Sequence, residues 1–107
     1  MRPSIVIGTY EEHFPGWAEN LAAGGGITLT SGIGILRNVK SDPNIKIDTV
    51  PCDYVSNFII AVSAYASIIP TPRLSIYHAS SSELNPITIV QYTDILVAWA
   101  QKNPFYK

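Results

Sequence analysis

The feature that most restricts the fold is a series of apolar residues that recur at spacings of three and four. The series comprises Val55, Phe58, Ile59, Val62, Tyr65, Ala66 and Ile69. Such spacing places the side chains on one face of an α-helix. Pro51 and Asp53 stand where a turn and an N-terminal cap are expected, and Pro70 and Pro72 stop the pattern. A long helix is therefore predicted.

Three short segments have the character of β-strands. Ser4 to Ile7 is a β-branched run stopped by Gly8, and its apolar residues on both sides are typical of a strand buried on both faces of a parallel sheet. After the turn at Asp42-Pro43-Asn44, residues 45–50 alternate as a half-buried strand does. Leu74 to His78 predicts a third strand.

The remaining segments complete an alternating order. Thr9 to Asn20 has no clean period and predicts a loop, and the glycines between Gly24 and Arg37 are too dense for a stable helix. Asn85-Pro86 resembles a helix start, and the helix is expected to run to about Lys102. The order predicts an α/β fold, with an incomplete parallel sheet and flanking helices.

Composition narrows the classes of function. The net charge is −1, and the seven basic residues are scattered, which argues against nucleic-acid binding. The longest apolar stretch, residues 58–69, is shorter than the roughly 20 residues needed to span a bilayer, so no membrane span is expected. Cys52 is expected to be a small buried hydrophobe. We treat residues 1–107 as one partial domain. Only 14% of the residues are charged, which suggests that missing polypeptide, a partner or a ligand covers part of the surface.

Motifs that carry catalysis are missing from the sequence. The glycines fit neither G-x-G-x-x-G nor G-x-x-x-x-G-K-[ST], so no pyrophosphate loop is predicted. None of the six tyrosines precedes a lysine by four positions, which excludes a Tyr-x-x-x-Lys pair. Glu11, Glu12 and His13 are adjacent on an extended loop, so their side chains point in different directions, and no other potential metal ligand lies at a useful spacing from them. His78 is more typical of a structural histidine. No catalytic residue and no metal site are predicted.

Four segments, taken together and in order, carry a family resemblance. They are Arg2-Pro3-Ser4-Ile5-Val6, Phe14-Pro15-Gly16-Trp17, Val50-Pro51-Cys52-Asp53-Tyr54-Val55 and Asn85-Pro86-Ile87-Thr88. Their combination resembles the alcohol-forming fatty acyl-CoA reductases, which belong to the extended short-chain dehydrogenase/reductases. The resemblance implies the C-terminal portion of a Rossmann-like domain, from a parent enzyme that reduces long-chain fatty acyl-CoA to fatty alcohol with NADPH. One departure is Ile33, which stands where the family has a lysine.

The resemblance also implies where ligands would lie. In the family, the strand corresponding to Pro3, Ser4, Ile5 and Val6 passes beside the nicotinamide, and a plain core strand is the alternative reading. Residues that correspond to the acyl-binding side are aromatic or adjacent to aromatics: Tyr10, Phe14, Pro15 and Trp17. A loop packed on its own core is the alternative there. Aromatic side chains would offer a large apolar area to a hydrocarbon chain.

The nucleotide-binding half of the family domain has no counterpart in these residues. The resemblance therefore implies that this chain alone is inactive. Two alternatives stay open, a non-catalytic remnant that binds a partner or lipid through exposed apolar surface, and an extended reductase with another substrate. Peroxisomal or endoplasmic-reticulum membrane association is expected from the family alone.

Overall fold

Parallel strands around the first residues organise the fold. A computed structural model describes residues 1–21, 24–69 and 74–104. Strands β1 (Arg2–Pro3) and β2 (Ile5–Ile7) are separated only by a bend at Ser4, and we call residues 2–7 the extended run. β1 pairs in parallel with β5 (His78–Ala79), and β2 pairs in parallel with β4 (Thr49–Pro51). The partner changes at Ser4, whose backbone N–H donates to Ala79, whereas the N–H of Ile5 donates to Asp48.

The predicted long helix is confirmed as α2 (Cys52–Ile68). It follows β4 without a loop, and Pro51 stands at its N-cap with φ −62° and ψ 143°. The helix packs against β2 and β4, and its buried residues are Asp53 and Val55. Pro70 and Pro72, which were expected to stop it, lie outside the described residues.

The last helix begins later than Asn85-Pro86 suggests, so that expectation is wrong. Helix α3 is Ile89–Lys102, capped by Thr88, whose side chain accepts from the N–H of Gln91 while the Gln91 side chain accepts from the N–H of Thr88. Ile87–Thr88 forms β6, antiparallel to β3 (Lys46–Ile47). The capping box together with this strand pairing outweighs the Asn-Pro signal.

The expectation that the glycine segment forms no stable helix is also wrong, because α1 spans Gly24–Gly32. Contacts with other segments stabilise this helix, since its glycine-rich sequence has a low helix propensity. The hydroxyl of Tyr92 in α3 lies 3.1 Å from the Thr28 hydroxyl and donates to the carbonyl of Gly24 at 3.5 Å. Gly26 is required sterically, since a Cβ there would lie 2.7 Å from the carbonyl oxygen of Leu21.

Two strand predictions need correction. The run at residues 4–7 is not buried on both faces, because Ile5 is 45% and Val6 is 42% exposed. Residues 74–77 have no regular structure, and β5 begins only at His78 because its partner β1 is two residues long. Among the described residues, the buried apolar side chains are Val50 and Val55.

Candidate functional site

Three N–H groups of the extended run β1–β2 donate hydrogen bonds to neighbouring segments of the fold. Arg2 donates to Tyr77 at 2.8 Å, Ser4 to Ala79 at 2.9 Å and Ile5 to Asp48 at 3.2 Å. The Ser4 hydroxyl is buried without a hydrogen-bond partner of acceptable geometry among the described residues. What the run offers to a ligand is therefore mainly the apolar surface of its exposed side chains.

Asp48 fastens the segment after β5 to the segment before β4. Its carboxylate accepts from the N–H of Ser81 at 2.9 Å and from the N–H of Ser82 at 3.3 Å. The Ser81 hydroxyl also donates to the carbonyl of Thr49 at 2.6 Å. The hydrogen bond from the Ser81 N–H is the main cause that lowers the pKa of Asp48, against a smaller opposing effect of burial.

Residues 9–17, which we call the aromatic loop, close on themselves directly after β2. Thr9, only 6% exposed, donates its N–H to Trp17 at 3.0 Å and accepts from the N–H of Gly16 at 2.8 Å. Its hydroxyl donates to the carbonyl of Phe14 at 2.8 Å. The turn places His13 at φ 72° and Gly16 at φ 82°, in the left-handed region. The first and last residues of the aromatic loop, Thr9 and Trp17, are therefore hydrogen-bonded to each other.

The outgoing leg of the aromatic loop is bound by Asp53. This side chain, 7% exposed, accepts from the N–H groups of Tyr10 and Glu11 at 3.0 Å and of Glu12 at 3.3 Å. It also accepts from the N–H of Tyr54 at 3.1 Å. Burial raises the pKa of Asp53, but these N–H donors outweigh it and hold the pKa at about 2.

An apolar cleft of about 1100 Å³ lies between β2, α1 and α3. Ile5 and Ile7 line it from the strand, Ile27 from α1, and Leu96 and Val97 from α3. Such apolar concavities are the usual form of sites for small organic ligands. The cleft begins on the same strand that the sequence indicates as the nicotinamide side.

The predicted site residues divide between two surfaces. Ile5 lines the large cleft, while Pro3 and Val6 are exposed along the same run and Ser4 faces inward. Phe14 and Pro15 are exposed on the aromatic loop. None of the four predicted acyl-side residues lines this cleft or the smaller one of about 630 Å³ beside Ile7, so far as the described residues show.

Aromatic contacts order the loop side chains. The rings of Tyr10 and Tyr54 lie edge to face with centroids 5.8 Å apart, and those of His13 and Trp17 are tilted at 5.1 Å. Trp17 is half-buried. No group of three or more potential metal ligands occurs among residues 1–21, 24–69 and 74–104.

Sequence reasoning missed Asp53 as a residue that organises the site. The expectation that Asp53 caps α2 is wrong, because the N-cap is Pro51 and no side chain of the described residues caps the helix. Asp53 lies in the first turn of α2 and accepts from the N–H of its neighbour Tyr54, and the other donors to its carboxylate come from residues about 40 positions earlier. The motif V-P-x-D-x-V marks the position without showing its partners. Tyr92 and Thr28 were missed for the same reason, since they meet only in the tertiary structure.

Comparison with known proteins finds relatives along the whole chain. Residues 1–59 match the NAD-binding family model described as male sterility protein. Fatty acyl-CoA reductase 2 of Mus musculus is 38% identical over 105 residues, which cover 98% of this chain and 20% of the relative. Probable fatty acyl-CoA reductase 4 of Arabidopsis thaliana is 33% identical over 108 residues, covering 100% and 22%. Fatty acyl-CoA reductase 1 of Homo sapiens is 30% identical over 104 residues, covering 97% and 20%.

Parallel strands, flanking helices and the match to an NAD-binding family define a Rossmann-like α/β portion of an NAD-binding domain. The chain belongs to the male sterility protein family, and its curated relatives are fatty acyl-CoA reductases. The resemblance in the four motifs is thereby confirmed. The chain spans about one-fifth of the length of the curated relatives it matches.

The family implies a nicotinamide cofactor, and the exposed run fits one side of such a ring. Ile5 and Val6 present apolar surface that is about half exposed, at 45% and 42%. The N–H groups of Ser4 and Ile5 are engaged in strand pairing, and Pro3 has none, so the fit is through apolar contact. A pyrophosphate loop of the Gly-x-Gly-x-x-Gly type is not among these 107 residues.

Proposed function

We propose that the full-length protein containing this chain reduces a long-chain fatty acyl-CoA to the fatty alcohol with NADPH. The observation that carries the proposal is the exposed apolar strand Ile5–Val6, followed directly by the aromatic loop, in a chain whose relatives are fatty acyl-CoA reductases. In this proposal the cofactor and the acyl group would bind to adjacent segments of the chain. The domain is completed by polypeptide outside residues 1–107.

The roles proposed for this chain are positional. Pro3, Ile5 and Val6 would contact one side of the nicotinamide, and Ser4 would hold the strand through its pairing with Ala79. Each bound NADPH would supply one hydride, and the conversion of an acyl-CoA to the alcohol takes two of them in succession and releases CoA as the free thiol. No tyrosine in this chain has a lysine four positions later, so the proton for the reduced carbonyl would come from outside it.

On the acyl side, we propose that Tyr10, Phe14, Pro15 and Trp17 exclude water and contact the hydrocarbon chain. Phe14 is 57% exposed and Tyr10 also 57%, so both present aromatic area that a ligand or a neighbouring segment would cover. Burial of such area is favourable by roughly 25 cal/mol per Å². The apolar cleft beside Ile5 is a separate surface of the same apolar kind, between β2, α1 and α3.

The kinetics of the full-length protein test this division. Val6→Ala should raise the KM for NADPH, and Phe14→Ala should raise the KM for a long-chain acyl-CoA more than for a short one, each by about tenfold from the lost apolar contact. Leu84→Ala is the matched control, since Leu84 is 93% exposed on a turn. If both variants change the KM of the same ligand, or neither differs from Leu84→Ala, the assignment is wrong. Equal activity with NADH and with NADPH would contradict the proposal that NADPH is the cofactor.

A second candidate is a non-catalytic protein that binds a partner or a lipid through apolar surface. It is favoured by an accessible surface of 8527 Å², against about 5900 Å² for a compact monomer of 11.7 kDa. The isolated chain should then bind a hydrophobic dye or self-associate. A monodisperse monomer with cooperative melting and no dye binding would count against this candidate.

For localisation we propose association with the peroxisomal or endoplasmic-reticulum membrane. None of the helices described is long and apolar enough to cross a bilayer. Fluorescent fusions of the full-length protein and of residues 1–107 would test the proposal, with membrane association expected for the former. A diffuse distribution of the full-length fusion would contradict it.

A further inference from the structure

We propose that Asp53 is the positioning residue that holds the aromatic loop in the conformation that receives the acyl group. This inference rests on the proposed function, which places Tyr10, Phe14, Pro15 and Trp17 on the acyl side. Asp53 itself would not touch the substrate. It would act through the backbone of residues 10–12.

The geometry is that of an anion surrounded by consecutive backbone donors. The N–H groups of Tyr10, Glu11 and Glu12 all point at the Asp53 carboxylate, at 3.0 to 3.3 Å. Successive N–H groups turned toward one anion form a concave nest, and hydrogen bonds to an ionised acceptor are stronger than neutral ones. The path of three successive residues is therefore set by one side chain 41 to 43 positions away.

The same carboxylate couples the loop backbone to an aromatic side chain. Asp53 accepts from the N–H groups of both Tyr10 and Tyr54, and the rings of these two tyrosines meet edge to face at 5.8 Å. Tyr10 is thus held by its main chain and by its ring. The other end of the loop is closed separately by Thr9 on Phe14, Gly16 and Trp17.

A carboxylate is the side chain that this arrangement requires. All its protein partners are donors, and a buried amide in its place would turn one NH₂ group toward backbone N–H groups. A buried donor left without an acceptor is costly. Asp53→Asn, although nearly isosteric, should therefore release the outgoing leg of the loop.

The test compares Asp53→Asn with Asp42→Asn in the full-length protein. Asp42 is a matched control because its side chain accepts one backbone N–H, that of Asn44, in an exposed turn. The first readout is cleavage by a glutamate-specific protease at Glu11 and Glu12, which reports opening of the loop without reference to activity. The second is steady-state kinetics with varied long-chain acyl-CoA and varied NADPH.

In Asp53→Asn we expect cleavage at Glu11 and Glu12 to be about tenfold faster than in Asp42→Asn, since a cleavable loop must first open. The kcat/KM for acyl-CoA should fall, by up to about 100-fold for a displacement near 1 Å, while the KM for NADPH stays near the wild-type value. Cleavage no faster than in the control would overturn the inference and leave the proposed function standing. Faster cleavage with unchanged acyl-CoA kinetics would overturn the acyl-side assignment, and with it the positioning role.

A measurement on the wild-type protein covers the case in which Asp53→Asn does not fold. Hydrogen exchange should show protection of the amides of Tyr10, Glu11 and Glu12, although these residues lie on an exposed loop. Protection that increases further when a non-reducible acyl-CoA analogue binds is the expected result. Exchange of these three amides at the rate of unstructured peptide would overturn the inference.

Discussion

Two aspartates, Asp48 and Asp53, connect segments that are far apart in the sequence. Each carboxylate accepts backbone N–H groups from a loop, Asp48 from residues 81 and 82 and Asp53 from residues 10–12. Both pKa values are lowered, because the hydrogen bonds stabilise the ionised carboxylate by more than burial destabilises it. At the scale of single residues, two ionised carboxylates, each hydrogen-bonded to backbone N–H groups, connect the loops to the strands.

Acid should therefore destabilise the folded state in a defined range of pH. The folded pKa of Asp53 is about 2 and its ordinary value is 3.8, so its contribution to stability is present above pH 3.8 and is lost as the pH falls toward 2. Wild-type full-length protein should melt at a higher temperature than Asp53→Asn at pH 5, and the difference should shrink as the pH falls from 4 to 2. A difference that stays constant over this range would contradict the ionised role of Asp53.

The element that differs most from its intrinsic preference is helix α1. Three consecutive glycines, Gly24, Gly25 and Gly26, open it, and glycine lowers helix stability by about 1 kcal/mol relative to alanine. Side-chain hydroxyls compensate in part, with Thr28 and Thr30 donating to the carbonyls of Gly24 and Gly26 and Tyr92 reaching across from α3. The helix therefore depends on its packing environment.

Alanine substitutions at two adjacent positions should have opposite effects on α1. Gly25→Ala should stabilise the helix by about 0.5–1 kcal/mol, since its Cβ would lie an ordinary 3.7 Å from the carbonyl oxygen of Asn20. Gly26→Ala should destabilise it by about 1–3 kcal/mol, because a Cβ 2.7 Å from the Leu21 oxygen forces the backbone to move. Hydrogen exchange of the α1 amides in the full-length protein would measure both, and equal effects would contradict the helix as described.

At the scale of the whole molecule, this chain encloses little interior. Val50 and Val55 are the buried apolar side chains of the described residues, while Ile60 and Ile68 in α2 remain 67% and 77% exposed. Burial of apolar surface is the main favourable term in folding. We therefore expect the free energy of unfolding of residues 1–107 alone to be small, and expect it to rise when further polypeptide or a partner covers the exposed apolar side chains.

Residues 1–107 by themselves are expected to be catalytically inactive. The chain has neither the glycine loop for pyrophosphate nor a Tyr-x-x-x-Lys pair. Purified chain mixed with NADPH and a long-chain acyl-CoA should give no loss of NADPH absorbance above the blank. Oxidation that scales with the concentration of the chain would show that these residues are sufficient for the reaction.

Local patterns in the sequence were sufficient for the features that depend on neighbouring residues. The spacing from Val55 to Ile69 predicted α2, and the turn at Asp42-Pro43-Asn44 is confirmed by the hydrogen bond from the Asn44 N–H to Asp42. The four motifs predicted the family. These features depend on contacts between residues up to four positions apart and on short motifs, and both can be read directly from the sequence.

Only the tertiary structure decided which distant groups meet. It placed the carboxylate of Asp53 on the aromatic loop, the hydroxyl of Tyr92 on α1 and Ile87–Thr88 against Lys46–Ile47. It also left Ile5 and Val6 exposed where their composition indicated burial. Hydrogen-bond partners and burial depend on packing between segments tens of residues apart, and local propensity carries no information about that packing.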